Sequence, residues 1–164
     1  MARGIVSLVV ICTHMRAVIQ RVSEASVSIS GKVHGKINQG LLILVGIEQE
    51  DAQSDVDWLA NKVSGLRIFS DDDDKMNHSV ADINGEVLII SQFTLHASTK
   101  KGTRPSFIRA AHPEHAIPIY TAFVSAMNTL IDKPVATGQF GADMQVQLIN
   151  DGPVTIWIDT KNKS

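Results

Sequence analysis

The sequence predicts a single α+β or barrel-like domain, which is strand-rich and has two main helices. Two patterns support this class: short aliphatic and β-branched runs bounded by turn residues, and two longer segments whose apolar residues recur at helical spacing. The length agrees, because 164 residues can bury roughly 70% of the unfolded surface in one domain. No internal repeat, linker or low-complexity tract divides the chain.

The predicted strands begin near the start of the chain. Residues 18–22 and 27–29 are β-rich, and a Ser-Gly-Lys sequence at 30–32 indicates a hairpin turn directly after the second run. Residues 41–47 form a continuous apolar run, which is typical of a buried strand. Residues 86–95 follow an Asn-Gly turn signal and predict a central strand.

The two helices are predicted from capping residues and apolar stripes. Ser54 is the predicted N-cap of the first helix, and acidic residues in the first turn favour its dipole. Pro113 suits the first turn of the second helix, and Pro134 stops it. The apolar stripe of the second helix comprises Ile117, Tyr120, Val124, Met127 and Ile131.

Two further strands are predicted over residues 144–149 and 154–158, on either side of an Asn-Asp-Gly-Pro sequence. An Asp-Gly pair between alternating strands favours a hairpin turn. Pro153 has no N–H to pair inside a sheet, and an X-Pro bond is the one place where a cis peptide costs only about 0.5–1 kcal/mol. From the residues alone, the segment is interpreted as a turn.

The charge and cysteine content limit the classes of function. A net charge of −2 and a pI near 6.3 argue against a nonspecific nucleic-acid coat, although a local basic patch can still bind phosphates. The single cysteine, Cys12, excludes an intramolecular disulfide framework and fits a reducing compartment such as the cytoplasm. No cofactor motif is present, and no segment indicates a membrane or a protein partner.

Residues 1–14 are predicted to be an upstream extension. Their apolar run is too short to span a membrane and lacks a signal-peptide cleavage site, whereas Met15 opens a segment that resembles a protein start. The alternative interpretation is an added edge strand. The domain itself is assigned to residues 15–160, followed by a C-terminal tail at 161–164.

Conventional metal and catalytic sites find little support in the sequence. Of the six histidines only His112 and His115 are close, and a structural zinc site needs four Cys or His ligands, so no metal site is predicted. No Gly-x-Ser-x-Gly elbow is present. In an extended strand Thr94 and His96 would share one face as a nucleophile and a base, but no acid nearby in the sequence orients the histidine.

A cluster of basic residues is the remaining candidate for binding. It lies between the central strand and the second helix and comprises Lys100, Lys101, Arg104 and Arg109. The cluster is either a solvated loop or a patch that contacts phosphates, and the spacing alone does not decide between them.

Five blocks of sequence, in order, resemble the D-aminoacyl-tRNA deacylase family from Met15 to about Thr160. Two of them match its signature motifs: Ser-Gln-Phe-Thr-Leu at 91–95 and Asn-Asp-Gly-Pro-Val-Thr at 150–155. No block departs from the family pattern. The other three are Ile-Gln-Arg-Val at 19–22, Gly-Thr-Arg-Pro-Ser-Phe at 102–107 and Thr-Gly-Gln-Phe-Gly-Ala-Asp-Met at 137–144.

The resemblance implies a β-barrel-like α+β fold, an obligate homodimer, and hydrolysis of the ester that joins a D-amino acid to the terminal adenosine of tRNA. In this family, Gly152 and Pro153 correspond to a cis pair that inserts into the partner subunit's pocket, where its carbonyls leave no room for an L side chain. The implied pocket reads the chiral centre and leaves the side chain largely unread. Because glycine has no side chain to reject, glycyl-tRNA is expected to be cleaved as well.

The resemblance also implies roles for individual residues. Backbone N–H groups from Ser91, Gln92, Phe93 and Thr94 would surround the scissile carbonyl, and those of Phe93 and Thr94 would bind the oxyanion. Arg21 would brace the Gly-Pro pair through backbone carbonyls. Phe140 and Met144 would cradle the terminal adenine. Apart from the resemblance, Lys100, Lys101 and Arg104 of the basic cluster are the candidate contacts to tRNA phosphates.

Two mechanisms remain open for the cleavage itself. In one, the Thr94 hydroxyl attacks the ester and forms an acyl-enzyme. In the other, the substrate's own 2′-OH helps to activate water, and the protein supplies positioning. The second is favoured, because no base is evident beside Thr94 in the sequence.

Overall fold

The computed structural model describes residues 14–163 of the protein. The extension predicted at 1–14 lies outside these residues apart from His14. The helices are α1 (Gln53–Ser64) and α2 (Pro113–Leu130), with a 3₁₀ turn at Phe93–His96. The strands are β1 (Arg16–Ile29), β2 (Lys32–Ile37), β3 (Gly40–Gly46), β4 (Phe69–Ser70), β5 (Met76–His78), β6 (Glu86–Ser91), β7 (Ala136–Thr137) and β8 (Met144–Asp159).

The main sheet is nearly closed and barrel-like, which confirms the predicted fold class. Its strands run in the order β2-β1-β3-β6-β7, and β8 pairs along β1. β1 is antiparallel to β2, β3 and β8, whereas β3, β6 and β7 are mutually parallel. β2 and β7 approach each other across the gap. The long β1 is therefore the strand to which both halves of the sheet are attached.

The hairpin turn predicted at 30–32 is present between β1 and β2. Ser30 and Gly31 have φ values of 50° and 78°, and two successive positive φ angles match the right-handed twist of a tight hairpin. The buried strand predicted at 41–47 is also present as β3. Its apolar side chains alternate between the two cores of the molecule.

Both faces of the sheet carry an apolar core. α1 and α2 cover one face, where the fully buried Phe123 contributes roughly 1.5–3 kcal/mol relative to an exposed position. The same core contains Ala17, Ile19, Leu41, Ile43, Leu59 and Met127. The smaller core on the other face contains Val22, Val27, Ile37, Leu42, Leu88 and Ile90.

The helices differ from the sequence prediction in two details. Ala52, not Ser54, is the N-cap of α1, and the Asp55 carboxylate reaches back to accept the Ala52 N–H at 3.0 Å. In α2, Ile117 of the predicted stripe is 44% exposed, and Phe123 is buried instead. Neither helix, nor any other within residues 14–163, has the length and apolarity needed to cross a bilayer.

Candidate active site

The central strand ends earlier than predicted, and the chain then turns. β6 ends at Ser91, and Phe93–His96 form a 3₁₀ turn where an extended strand was expected through residue 95. The Leu95 N–H donates back to Gln92 O at 3.3 Å and closes this turn. Residues 92–96 are called the 92–96 turn below.

The 92–96 turn packs closely on the end of β3. The Gln92 N–H donates to Val45 O at 2.7 Å, so the turn begins as a continuation of the sheet ladder. A Cβ added at Gly46 would lie 2.9 Å from Gln92 O and 3.1 Å from the Leu95 Cβ. Glycine at position 46 therefore allows the turn to lie directly against the backbone of β3.

The start of the 92–96 turn presents two unpaired backbone donors. Within residues 14–163, no protein acceptor is bonded to the N–H of Phe93 or of Thr94. The first N–H groups of a helical turn have no partner inside the turn, so they are available to a ligand. Adjacent donors of this kind can stabilise a developing oxyanion.

A cavity of about 270 Å³ lies beside the 92–96 turn. Phe140, which lines it, packs against Tyr120 with ring centroids 6.0 Å apart, and the Tyr120 hydroxyl donates to Ile89 O at 3.0 Å. No charged side chain belongs to the described lining. The lining residues are Val45, Ile47, Ile90, Ser91, Gln92, Phe93, Ala111, Ala116, Phe140, Gly141, Ala142, Met144 and Val146.

Thr94 and His96 lie in different surroundings. Thr94 is exposed and accepts a hydrogen bond from the Gln92 side-chain amide, whereas His96 is only 2% exposed. Burial lowers the pKa of His96 to about 4 despite the opposing effect of the Gly46 backbone, so the imidazole is neutral at pH 7. The shared face expected for Thr94 and His96 in an extended strand is therefore wrong, and the two side chains do not pair.

The second signature motif is not a hairpin turn. The strands predicted at 144–149 and 154–158 are parts of one strand, β8, because both pair with β1 and not with each other. Gln20 pairs with Thr155 and Val22 pairs with Asn150, so residues 151–154 leave the ladder. This segment is called the 151–154 bulge below.

Asp151, Gly152 and Pro153 of the 151–154 bulge are exposed, Val154 is half-buried, and hydrogen bonds close the base of the bulge. The Gly152-Pro153 peptide bond is cis, and Gly152 has a φ of +143°, which residues with a Cβ rarely adopt. The Asn150 Oδ1 accepts the Val154 N–H at 2.7 Å, and its Nδ2 donates to Thr155 Oγ1 at 3.0 Å. These contacts hold the two ends of the bulge together.

Arg21 fastens the 151–154 bulge to the body of the domain. Its Nε donates to Asp151 O at 2.8 Å, and its Nη1 donates to Ile68 O at 2.7 Å. The Arg21 side chain is 13% exposed, and a planar guanidinium bonded at two places has little freedom to rotate. The bulge thus projects into solvent from a fixed base.

The chain matches the family model described as D-Tyr-tRNA(Tyr) deacylase over residues 18–159. It belongs to the D-Tyr-tRNA deacylase family. Similar proteins include the D-aminoacyl-tRNA deacylases of Flavobacterium psychrophilum, 62% identical, and Porphyromonas gingivalis, 60% identical. Each alignment spans 149 residues and covers 91% of this chain and 99% of the relative.

Solved structures agree with this assignment of the fold. The c-Myc DNA unwinding element binding protein has a TM-score of 0.83 and 39% identity, covering 87% of this chain and 97% of that chain. A eukaryotic protein described as a probable D-amino acid tRNA deacylase has a TM-score of 0.76 over 89% of this chain and 99% of that chain. Its identity is 14%, so the second likeness concerns the fold alone.

The basic residues of this family member divide into two groups. Lys100, Lys101 and Arg104 are exposed on the segment after the 92–96 turn and form no ion pair within residues 14–163. Arg109 is different, because its Nε lies 2.8 Å from Oε1 of Glu48, whose side chain is 6% exposed. Arg109 therefore fastens this segment to the end of β3.

Sequence reasoning missed two residues that contact the 92–96 turn from outside. The Glu48 Oε1 lies 3.7 Å from the His96 Nδ1, and the Arg16 Nη1 donates to Leu95 O at 2.9 Å. Both contacts join residues distant in sequence, so no local pattern marks them. The one available signal is Glu48 itself, a charge placed immediately after a buried apolar run. Across residues 14–163, no group of three or more metal-ligating side chains converges.

Proposed function

We propose that the protein hydrolyses the ester bond of D-aminoacyl-tRNA, releases the D-amino acid and the tRNA, and acts in chiral proofreading during translation quality control. The observation that carries the proposal is the pair of unpaired N–H groups on Phe93 and Thr94 beside an uncharged cavity, in a member of the D-Tyr-tRNA deacylase family. We assign the activity to the cytoplasm, because the proposed substrate is an aminoacyl-tRNA.

The proposed step is the attack of water on the ester carbonyl carbon. The bond from that carbon to the ribose 3′-oxygen breaks, and the 3′-oxygen leaves with a proton. The carbonyl oxygen becomes an oxyanion in the transition state, and the N–H groups of Phe93 and Thr94 are its proposed donors. In other enzymes the loss of one such donor costs about 2.7–4 kcal/mol.

Activation of the water is assigned to the 2′-OH of the terminal ribose and not to Thr94. The Thr94 hydroxyl contacts the Gln92 amide, which is no base, and the neutral His96 is buried away from it. The protein's own contribution is then to hold the ester against fixed backbone donors.

The tRNA end is proposed to enter the same cavity. Phe140 and Met144, which line it together with Ser91 and Gln92, are the proposed cradle of the terminal adenine, since a ring and a thioether both pack well on a base. The proposed phosphate contacts are the exposed Lys100, Lys101 and Arg104.

Chiral selection is assigned to Gly152 and Pro153 of a partner subunit in a homodimer. Neither residue belongs to the described lining of its own chain's cavity, and both are exposed. β8 pairs with β1 alone among the described strands, which leaves its other edge available. In the proposed dimer each 151–154 bulge occupies the space in the partner's cavity that an L side chain needs. Glycyl-tRNA has no such side chain and is also cleaved.

A noncatalytic nucleic-acid-binding module is the second candidate. The observation that favours it is the structural likeness, at 39% identity, to a protein described as binding a DNA unwinding element. The same fold can serve either function. This candidate requires binding of nucleic acid without ester cleavage.

The deciding experiment compares the release of tyrosine from D-Tyr-tRNA and from L-Tyr-tRNA by the purified protein. We expect rapid loss of the D ester while the L ester survives as in buffer. Cleavage of neither ester above the buffer rate would overturn the proposal, and tight tRNA or single-stranded DNA binding would then favour the binding module. Light scattering on the same sample tests the dimer against the monomer mass of 17.8 kDa.

A further inference from the structure

Arg16 links the start of β1 to the end of the 92–96 turn. Its Nη1 donates to Leu95 O at 2.9 Å, and its Nε donates to Asp159 Oδ2 at 3.1 Å. Its Cζ lies over the Trp157 ring, 5.5 Å from the ring centroid. With a carboxylate, a ring and a carbonyl around it, the guanidinium has one defined position.

Asp159 is well suited to hold this arginine. Its side chain is 6% exposed and also bonds the His14 Nδ1 at 3.0 Å and the Lys161 N–H at 2.9 Å. Burial alone would raise its pKa, but the hydrogen bonds from Lys161, His14 and Arg16 outweigh burial and lower it. Asp159 is therefore ionised at neutral pH, and the Arg16 contact is a charge-assisted hydrogen bond.

The Leu95 carbonyl is the group at which the end of the 92–96 turn is held from outside. A 3₁₀ turn has poorer internal hydrogen-bond geometry than an α-helix, so it needs support from outside. The Gln92 N–H is fastened to Val45 O at one end, and Leu95 O is fastened to Arg16 at the other. The N–H groups of Phe93 and Thr94 lie between these two fixed points.

We propose that Arg16 is a positioning residue for the oxyanion donors of Phe93 and Thr94. It contacts neither the cavity nor the substrate, and it acts by fixing the orientation of the peptide groups in the 92–96 turn. The inference rests on the proposed function, because it assigns these donors to ester hydrolysis. Loss of the Leu95 contact leaves the end of the turn free to rotate, and a donor displaced by about 1 Å can cost on the order of 100-fold in rate.

The test compares two variants at Arg16 with a matched control. Arg16→Met removes every donor but keeps the apolar stem, while Arg16→Lys keeps the charge beside Asp159 without a fork long enough to bond Leu95 O as well. Arg67→Met is the control, since Arg67 is exposed and forms no hydrogen bond or ion pair within residues 14–163. For each protein, kcat and KM on D-Tyr-tRNA are measured well below its unfolding midpoint.

We expect both Arg16 variants to lose roughly 10- to 100-fold in kcat, with KM within about twofold of the wild type. Arg67→Met is expected to change neither constant by more than about twofold. Hydrogen exchange should accelerate in the Arg16 variants at the Leu95 and Ala97 amides, whose bonds to Gln92 O and Thr94 O close the turn.

A lower unfolding midpoint with unchanged kcat in both Arg16 variants would overturn the inference, because Arg16 would then only join β1 to β8. The failure of the proposed function has a different signature. A wild-type protein that cleaves no D ester refutes the function, while unchanged exchange at Leu95 and Ala97 in Arg16→Met separately refutes the role of Arg16 in holding the turn.

Discussion

The 92–96 turn follows the end of β6, the 151–154 bulge interrupts β8, and the two are held in similar ways. Each is fastened by an arginine of β1 that donates to a backbone carbonyl, Arg16 to Leu95 O and Arg21 to Asp151 O. Their surroundings differ. The turn lies beside a cavity of its own chain, whereas residues 151–153 of the bulge are exposed and no residue of the bulge lines that cavity.

The positions of the two arginines keep the motifs apart. Arg16 and Arg21 are an odd number of residues apart on β1, so their side chains leave opposite faces of the strand, about 17 Å from each other along it. Arg21 reaches Ile68 on the helix-covered side, and Arg16 packs on Trp157 on the other. A rigid segment that is fixed but not buried is suited to contact another molecule, which is the role proposed for the bulge.

The largest expected effect comes from Gly152→Ala in the bulge. Its φ of +143° strains any Cβ, and that Cβ would lie 2.8 Å from Val154 Cγ2. We expect kcat/KM for D-Tyr-tRNA to fall about 100-fold, measured by deacylation. Gly31→Ala is the control, because Gly31 also has a positive φ of 78° but open space around it. Equal activity losses in both variants would contradict a specific role for the bulge.

Arg21→Met tests whether the bulge must be held rigidly. The variant loses the donors to Asp151 O and Ile68 O but keeps the apolar stem. We expect the ratio of D-Tyr-tRNA to L-Tyr-tRNA cleavage to fall roughly tenfold, since a mobile selector admits some L substrate. A full D/L preference in this variant, with a lowered unfolding midpoint, would show that the bracing serves stability alone.

Because the neutral His96 of the 92–96 turn is buried, the stability of the protein should fall in acid. The pKa of His96 is about 4 in the folded protein against 6.5 for the free side chain, so its contribution to stability is complete above pH 6.5 and is lost as the pH falls towards 4. In that window His96 is expected to change the free energy of unfolding by about 1.4 kcal/mol per pH unit. Denaturant titrations of the wild type and of His96→Leu at several pH values measure this contribution as the difference between the two proteins.

Asp51 provides a second test, because its contribution to stability changes with pH in the opposite direction to that of His96. Burial raises the pKa of Asp51 to about 7, although the Glu48 and His14 N–H groups donate to it. Its contribution is therefore complete below pH 3.8 and is lost as the pH rises through about 7. In His96→Leu the Asp51 trend remains, so this variant should gain stability from pH 7 to pH 4. If the free energy of unfolding of His96→Leu depended on pH in the same way as that of the wild type, the burial of a neutral His96 would be contradicted. His34→Leu, at an exposed histidine, is the control.

The smallest effect is expected for Thr94→Ala in the turn. The backbone N–H is retained and only a hydroxyl bonded to the Gln92 amide is lost, so kcat should change by less than about threefold. Single-turnover deacylation measures this change directly. A loss of about 1000-fold or more would instead identify Thr94 as a nucleophile.

The difference between the two motifs also explains what the sequence could predict. The hairpin at 30–32 and β3 follow from residues that lie within them, namely turn formers and a continuous apolar run. The end of β6 does not, because the 92–96 turn depends on Gly46 beneath it and on Arg16 at Leu95, both distant in sequence. Local alternation alone therefore extended the strand to residue 95.

The local sequence predicted a hairpin turn in place of the bulge for a related reason. The residues between 144 and 158 predict two strands and a turn, and only the register against β1 shows that both strands share one partner. The resemblance to the deacylases gathered Phe140, Met144 and residues 91–94 into one proposed site, and the cavity joins Phe140 and Met144 to residues 91–93. Neither approach identified Arg16 or Glu48, since their roles are set by packing.

The two unpaired amides at the start of the turn have an evolutionary consequence. Every amino acid except proline carries a backbone N–H, so most substitutions at positions 93 and 94 retain the donor itself. Sequence drift at these positions can alter packing while leaving the reacting groups in place. Among the described residues that line the cavity, Ser91 is the one serine and no basic side chain accompanies it, so reagents that capture an activated serine are expected to label the protein poorly. For Phe93 and Thr94, proline is the one replacement that deletes the proposed chemistry outright.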